Sequence, residues 1–446
     1  MTLKYISTAL MLLVSSAVAQ AQIEFQKSFG GAKNETFNHI IPAFDHGYIA
    51  VGTTESFGAG KKDIFIVKTD SLGSLQWSKT YGGKDVDFGM YIDKSSDGNY
   101  FVTGHSASFG NQYTDVVLLK INAEGNMLWA KNYGLNNSEI ANHVTATPDG
   151  GCVVLGETVK YLGKGKDADV MVLKIKNDGE LQWSKKYGGK DLDYGYSIEI
   201  TKDNGYVIGG ETKSFTAGDQ DMYLLKLTQE GKLEWAKAYG GKAVDYGKYA
   251  TQTSDGGYLL AGSTANFNSR DIDLCVSKVA KNGVLLWTKI YGGNHQEYIS
   301  AIKILKNDDF VACGYTNSFE LTNENAFVEV FYASGIPKWG KAYGADSSDL
   351  AHSISIVNDK EIIMCGTTKS FGVKAEDGYM VKTYTHRTLE DCNTTDITTL
   401  VTHSVKATET SGGEESDLNM RAIDVKMSTT NCTLEEKVLC MPEEED

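Results

Sequence analysis

A segment of the form W-x-K-x-Y-G-G, or a close variant of it, recurs seven times along this chain at a nearly constant spacing. The aromatic anchors lie 52, 52, 54, 52, 52 and 52 residues apart, at Phe25, Trp77, Trp129, Trp183, Trp235, Trp287 and Trp339. Repeats of about 40–50 residues built from short apolar runs and glycine turns are typical of β-propeller blades, each blade being one small antiparallel sheet. The period therefore predicts an all-β chain that forms a seven-bladed β-propeller.

The repeat at residues 188–239 shows how one blade is built. Alternating or apolar runs at residues 196–201, 206–212, 222–227 and 233–239 are separated by turns such as Lys202-Asp203-Asn204-Gly205. This pattern predicts four antiparallel strands in each blade. The loops from strand two to strand three, and from strand four to the next blade, are longer than the two hairpins. We expect binding on the face that carries these longer loops, which we call the long-loop face.

The two ends of the repeat region are incomplete in a complementary way. The region begins with one isolated last strand, residues 23–29, and ends with three strands, residues 351–357, 360–367 and 378–384, that lack a fourth. Joining them completes a seventh blade and removes the open edges of the array. The sequence therefore predicts that the N-terminal strand closes the propeller.

The N-terminal residues have the composition of an export signal. Lys4 precedes an apolar stretch over residues 6–18, and small residues follow at Ala17, Ala19 and Ala21. We therefore expect a signal peptide at residues 1–21, a propeller at residues 22–386 and a C-terminal extension at residues 387–446. The expected location is secreted, periplasmic or associated with the cell envelope, and no later apolar run is long enough to predict a membrane span.

The formal net charge of −15 argues against a nucleic-acid partner, since phosphate binding needs clustered cations. The extension is acidic and contains three cysteines, Cys392, Cys432 and Cys440. Export would allow one disulfide among them, and pairing of Cys392 with either of the other two is favoured. Residues 398–408 and 418–428 are expected to form an antiparallel hairpin across the turn at Ser411-Gly412-Gly413.

One phase of the repeat is acidic in all seven blades, at the loop that leads into each inner strand. Its members are Glu35, Asp87, Glu139, Asp193, Asp245, Glu297 and Asp349. They would form a ring around one mouth of the central channel and could bind a ligand there, or each could cap backbone groups or pair with a lysine within its own blade. The mixture of Glu and Asp disfavours one shared metal, whose ligands need matched reach.

His105 is a second candidate binding residue. Other blades place Thr53, Glu157, Glu211, Ser263, Tyr315 and Thr367 at its phase, a mixture that indicates a position facing solvent or a ligand. The eight histidines show no metal-ligand spacing, and no catalytic or phosphate-binding motif is found. We therefore predict no metal, no cofactor and no catalytic residues.

The blade motifs resemble those of exported bacterial propeller-repeat proteins. The matching elements are Tyr239-Gly240-Gly241, Ser254-Asp255-Gly256-Gly257-Tyr258 and Gly231-Lys232-Leu233-Glu234-Trp235. This resemblance implies the fold and at most a scaffolding role, because such folds host many functions. The predicted function is an exported, non-catalytic scaffold for a protein or glycan partner at the cell envelope or outside the cell. The alternative is a carbohydrate-active hydrolase or a lectin built on a propeller.

Overall fold

A computed structural model describes most of the repeat region and parts of the extension. The described ranges are residues 24–110, 113–162, 165–216, 218–266, 271–319, 321–372, 375–386, 394–396, 400–405, 408–417, 420–424, 427–432 and 435–440. The expected signal peptide and Cys392 lie outside the described residues. Every regular element within these ranges is a β-strand, as the alternating sequence pattern predicts.

The propeller consists of seven blades of four strands each, numbered from the channel outward. The isolated N-terminal strand is β1 (Phe25–Gly30). Blade 1 consists of β2 (Glu35–Pro42), β3 (Tyr48–Thr54), β4 (Asp63–Thr69) and β5 (Leu75–Gly82). Blade 2 consists of β6 (Asp87–Lys94), β7 (Tyr100–Ser106), β8 (Asp115–Ile121) and β9 (Met127–Gly134). Blade 3 consists of β10 (Ser138–Ala146), β11 (Cys152–Leu162), β12 (Gly165–Ile175) and β13 (Leu181–Gly188).

The remaining blades repeat this order. Blade 4 consists of β14 (Asp193–Ile200), β15 (Tyr206–Thr212), β16 (Asp221–Leu227) and β17 (Leu233–Gly240). Blade 5 consists of β18 (Asp245–Gln252), β19 (Tyr258–Thr264), β20 (Asp273–Val279) and β21 (Leu285–Gly292). Blade 6 consists of β22 (Glu297–Ile304), β23 (Phe310–Thr316), β24 (Asn325–Phe331) and β25 (Pro337–Tyr343). Blade 7 consists of β26 (Asp349–Val357), β27 (Glu361–Thr368), β28 (Asp377–Tyr384) and β1.

The N-terminal strand closes the ring, as predicted. β1 pairs antiparallel with β28, from Phe25 opposite Lys382 to Phe29 opposite Gly378. All six residues of β1 are buried. Because the inner strand β26 of blade 7 also contacts β2 of blade 1, the seven inner strands form a closed circle.

The core lies between neighbouring blades. The two middle strands of a blade are buried on both faces, as in β15 and β16. The outer strands alternate instead, and Trp183 on β13 is only partly buried against the next blade. The fully buried aromatic of this strand is the tyrosine of the Y-G-G motif, whose hydroxyl donates a hydrogen bond to a turn carbonyl of the next blade. These bonds run from Tyr81 to Gly125, Tyr133 to Gly179, Tyr187 to Gly231, Tyr239 to Gly283 and Tyr291 to Gly335.

The C-terminal extension adds a fifth strand to every blade. Its strands are β29 (Thr394–Asp396), β30 (Leu400–Val405), β31 (Thr408–Ser411), β32 (Glu414–Asp417), β33 (Arg421–Asp424), β34 (Ser428–Asn431) and β35 (Glu435–Cys440). Each pairs antiparallel with the outer strand of one blade: β29 with β25, β30 with β21, β31 with β17, β32 with β13, β33 with β9, β34 with β5 and β35 with β1. The extension therefore runs backwards around the rim from blade 6 to blade 1 and ends on blade 7. We call these seven strands the belt.

The belt corrects the expected hairpin in the extension. Strands β30 and β33, which lie within the two segments expected to pair, are hydrogen-bonded to blades 5 and 2 instead. Each outer strand offers a full edge of unpaired backbone groups, so pairing with a blade is more favourable than an isolated two-stranded hairpin in water. Cys432 lies beside Ser78 of blade 1, to whose carbonyl its amide donates a hydrogen bond of 3.1 Å, and the expected disulfide stays a prediction.

Candidate functional site in the central channel

The acidic residues singled out by the sequence all lie inside their own blades. Each is the first or second residue of an inner strand, and all seven are at most 1% exposed: Glu35, Asp87, Glu139, Asp193, Asp245, Glu297 and Asp349. In blade 1, Glu35 accepts hydrogen bonds from the amide of Gly31 at 2.7 Å and from the hydroxyl of Thr54 at 2.7 Å. In the structure, a carboxylate of this set caps amide and hydroxyl groups of its own blade, which is the alternative to ligand binding considered from the sequence.

Burial changes the protonation of these caps. Desolvation raises the pKa of Glu139 to about 7 and that of Asp193 to about 6, although their hydrogen bonds act in the opposite direction. Within the described residues, no group of three or more His, Cys, Asp or Glu side chains is placed to hold a metal ion. A ligand-binding role for the seven carboxylates stays a prediction, and their enclosure offers no open surface to a ligand.

His105 lies on the second strand of blade 2, near the long-loop face. Its ring packs on Phe88, with the two ring centroids 4.8 Å apart. Desolvation lowers the pKa of His105 to about 4, and its Nδ1 atom is buried without a hydrogen-bond partner. The side chain is therefore a neutral, largely enclosed ring at neutral pH. A binding role for it likewise stays a prediction.

The residues that differ from blade to blade converge on the channel. One residue from each inner strand, next to the bulge in that strand, lines a single cavity of about 200 Å³. These seven residues are Asn38, Met90, Asn142, Tyr196, Lys248, Ser300 and His352. No two neighbouring blades contribute the same residue type, so the channel is asymmetric although the scaffold repeats.

Aromatic rings fill the middle of the channel. His39 and His143 stack on the two faces of Tyr91, with centroid distances of 3.3 Å and 3.6 Å. The three rings and Tyr249 line cavities on both sides of this layer. Burial, reinforced by the charge of Lys303, holds the pKa of both histidines well below the usual range. They are therefore neutral, and the layer separates the two halves of the channel.

The half of the channel away from the long loops contains an internally paired charge cluster. A cavity of about 300 Å³ is lined there by Asp93, Glu199, Tyr249 and Lys303. Lys303 Nζ lies 3.4 Å from Glu199 Oε1 and bonds to the hydroxyl of Tyr249, while Asp93 accepts the amide hydrogen of Ala146 at 2.8 Å. These charges are satisfied by one another and by backbone groups.

The long-loop half of the channel is lined by aromatic residues and contains a larger cavity. A cavity of about 480 Å³ is lined by tyrosines and small polar residues, namely Tyr246, Lys248, Ser263, Tyr298, Ile299, Ser300, Tyr315 and His352. The rings of Tyr298 and Tyr315 stack with centroids 5.0 Å apart and planes inclined by 25°. Both tyrosines are only partly buried. This cavity has the size and mixed lining of a ligand pocket.

Lys248, which lines this cavity, has two carboxyl groups among its neighbours, Glu157 and Glu211. Glu157 accepts a hydrogen bond from Asn142 Nδ2 at 2.6 Å, and Glu211 accepts one from the hydroxyl of Tyr196 at 2.9 Å. Lys248 Nζ lies 3.7 Å from the centroid of the Tyr196 ring. Desolvation raises the pKa of Glu157 to about 7, raises that of Glu211 and lowers that of Lys248.

Among the residues of this channel half, the sequence predicted a role only for the repeat position of His105, which is occupied by Glu157, Glu211 and Tyr315 in other blades. The neighbouring phase of Lys248 was missed because the repeat was read from what its seven copies share. The opposite signal would have found it: an inner-strand position at which seven otherwise similar blades carry six different residue types, with asparagine alone repeated.

Comparisons with known proteins do not assign this chain to a family. No family model matches the chain. Regulatory protein FlaEY of Caulobacter vibrioides is 22% identical over 282 residues, which cover 56% of this chain and 29% of FlaEY. The matched part is thus less than a third of that protein. No helix among the described residues is long and apolar enough to cross a membrane.

Three solved structures are similar at low identity. A protein of unknown function from Dyadobacter fermentans has a TM-score of 0.44 and 9% identity, over 66% of this chain and 94% of its own. Sqt1 from Chaetomium thermophilum has a TM-score of 0.43 and 10% identity, over 77% of this chain and 83% of Sqt1. Puromycin hydrolase has a TM-score of 0.42 and 10% identity, over 78% of this chain and 50% of its own. Similarities of this size carry no argument about function.

Proposed function

We propose that this protein is an exported, non-catalytic propeller that binds a protein or glycan partner at the cell envelope or outside the cell. The observation that carries the proposal is the convergence on the channel of one variable side chain from each of the seven blades, three of which, Lys248, Ser300 and His352, also line the long-loop cavity. Structural positions repeat around the ring because each blade has the same packing problem. A position that varies between blades is therefore a candidate for recognising an asymmetric ligand.

The chemistry of this mouth suits a binding surface. Tyr246, Tyr298 and Tyr315 present partly exposed rings on three strands of two neighbouring blades. Tyrosine supplies a large apolar face with a polar end, which is why it is enriched at binding surfaces. The opposite half of the channel, by contrast, contains charges that are paired with one another.

The test uses residues that the chain itself provides. Thr36 of blade 1 occupies the phase of Tyr246 and Tyr298, so the double variant Tyr246→Thr/Tyr298→Thr alters the mouth with side chains the scaffold already accepts. The matched control is Tyr332→Thr, a 50% exposed tyrosine in a hairpin on the opposite face. We expect the double variant to lose partners recovered from envelope and secreted fractions, and the control to retain them. Equal recovery by all three proteins would contradict the proposal.

Export is a separate part of the proposal. It is supported by the composition of residues 1–21. Fractionation of the source cells, followed by N-terminal sequencing, should recover a mature chain that begins near Gln20 or Gln22. A cytoplasmic chain that retains Met1 would contradict it.

The carboxyl pair supports one alternative function, a carbohydrate-active hydrolase. Glu157 and Glu211 lie on neighbouring blades, and the pKa of Glu157, raised by burial to about 7, suits a general acid. This function predicts release of reducing sugar from oligosaccharides by the wild type and a loss of at least a hundredfold in Glu157→Gln. Binding without any hydrolysis favours the non-catalytic proposal.

A further inference from the structure

We infer that the ligand of the long-loop mouth is a saccharide, with one sugar ring packed on the wall formed by Tyr298 and Tyr315 and its hydroxyl groups bonded to Lys248 and Ser300. This inference rests on the proposed function and names its ligand class. It places a single asymmetric site at the channel mouth, where a lectin of repeated blades would carry several equivalent sites.

The wall lies within blade 6, on its two inner strands β22 and β23. Tyr315 occupies the phase of His105, where no other blade carries a tyrosine, and it stacks on Tyr298 of the adjacent inner strand. Both rings contribute apolar surface to the lining of the cavity of about 480 Å³. The faces of sugar rings are apolar C–H surfaces, and aromatic rings cover such surfaces while their hydroxyls remain free to bond.

The polar groups at this mouth have unused hydrogen-bonding capacity. Within the described residues, the Lys248 ammonium and the hydroxyls of Tyr298, Tyr315 and Ser300 make no hydrogen bond. These four side chains line the cavity, so their polar groups can bond to a ligand hydroxyl or to water.

The balance of these groups favours hydroxyls over a charged ligand. Lys248 is the one ammonium group among the residues that line the cavity, and it has the acidic neighbours Glu157 and Glu211. A hydroxyl both donates and accepts a hydrogen bond, and it can therefore accept one from the Lys248 ammonium and exchange one with the Ser300 hydroxyl. A molecule with an apolar face and several hydroxyl groups can therefore contact both the tyrosine rings and the polar groups of the site.

The experiment combines an array with calorimetry. Wild-type protein is applied to an array of neutral and acidic oligosaccharides, and the strongest neutral binder is titrated into the wild type and three variants. Tyr315→Thr introduces the residue of blades 1 and 7, and Lys248→Ser introduces that of blade 6. We expect each to weaken binding about tenfold, the equivalent of one stacking contact or one hydrogen bond to a charged group. Tyr332→Thr, on the opposite face, should change affinity less than twofold.

The outcomes separate this inference from the proposed function. A blank array, or binding that Tyr315→Thr and Lys248→Ser leave unchanged, overturns the saccharide assignment. If the array is blank but Tyr246→Thr/Tyr298→Thr still loses a protein partner, the binding mouth stands and its ligand is a protein. If the double variant also loses nothing, both proposals are wrong. Unchanged melting temperatures establish that the variants are folded, and Tyr315→Phe, which keeps the wall, should retain more affinity than Tyr315→Thr.

Discussion

In each of blades 1 to 5, one tyrosine hydroxyl is hydrogen-bonded to the next blade. Tyr239 is fully buried on β17, and its hydroxyl donates a 2.7 Å hydrogen bond to the carbonyl of Gly283 in the β20–β21 turn of blade 5. The same bond joins Tyr133 to Gly179. The Y-G-G motif is therefore explained by packing between blades.

We predict that Tyr239→Phe lowers the free energy of unfolding by about 1–3 kcal/mol, because it leaves a buried carbonyl without its donor. Chemical unfolding followed by intrinsic fluorescence measures the change. The control is Tyr332→Phe, which removes a hydroxyl from a half-exposed ring and should alter stability by less than about 0.5 kcal/mol. Equal effects would show that the interblade bond is not stabilising.

His105 gives a prediction of pH dependence. Its pKa in the folded protein is lowered by burial from an ordinary value near 6.5 to about 4, so the unfolded chain binds a proton more readily. The stability contributed by the neutral ring is complete above pH 6.5 and is lost as pH falls towards 4. His105→Thr, which copies Thr53 and Thr367, removes this effect. Between pH 7 and pH 4.5 the wild type should lose about 2 kcal/mol more than the variant; parallel pH profiles would contradict the assignment.

At the scale of strands, both ends of the chain meet on blade 7. β1 lies between β28 and the last belt strand β35, so it is paired on both edges. This arrangement leaves no edge of β1 exposed and ties the N-terminal strand to the C-terminal extension.

We predict that deletion of residues 23–29 exposes β28 and leaves β35 without its partner, and that aggregation or proteolysis of the last blade follows. Size-exclusion chromatography and limited proteolysis measure the outcome. A deletion variant that stays monomeric, with an unchanged melting temperature, would show that β1 does not close the ring.

The belt is anchored by methionines between blades. Met427 packs in the core between blades 1 and 2, and Met420 packs between blades 2 and 3; each is 8% exposed. They lie seven residues apart, and the belt advances by one blade over this distance. Each of these two methionines occupies one interblade groove, and the belt advances by one groove between them.

We predict that Met427→Ala releases the neighbouring belt strands β33 and β34 locally, because truncating a buried methionine costs about 2–5 kcal/mol. Hydrogen exchange of peptides covering these strands should accelerate at least tenfold, whereas β16 and β20 should not change. Ser416→Ala, at an exposed belt position, is the control. Unchanged exchange in Met427→Ala would mean that the belt is held by backbone pairing alone.

At the scale of the whole molecule, the repeated shell was predictable and the asymmetric parts were not. The same interblade packing recurs in every blade and gives the sequence its period of 52 residues. The number of blades, the number of strands in each and the closure by β1 can therefore be predicted from this period. Most belt strands have only four to six residues, and they pair with strands distant in the sequence, from Tyr343 opposite Thr394 to Gln26 opposite Cys440. Local alternation therefore suggested a hairpin between segments that the fold places on blades 5 and 2. The spacing of Met420, Met427, Leu434 and Met441 was the available signal.

The candidate site was hidden for a related reason. Lys248 and Tyr298 have no counterpart in most other blades, and a search for shared residues passes over them. The conspicuous shared residues, such as Glu35, are fixed by the need to cap each inner strand. In this propeller, residues that repeat in every blade are therefore explained by packing, and residues that differ between blades are the candidates for ligand binding.

The central claim is that partners bind at the long-loop mouth of the channel, and site-specific photo-crosslinking tests it most directly. A photoreactive phenylalanine analogue is placed at position 315 of the full-length protein, and in a second version at position 332 on the opposite face. Each version is irradiated in cells of the source organism. The account predicts covalent adducts with a partner from position 315 and none from position 332. Adducts from position 332 alone, or equally from both positions, would contradict it.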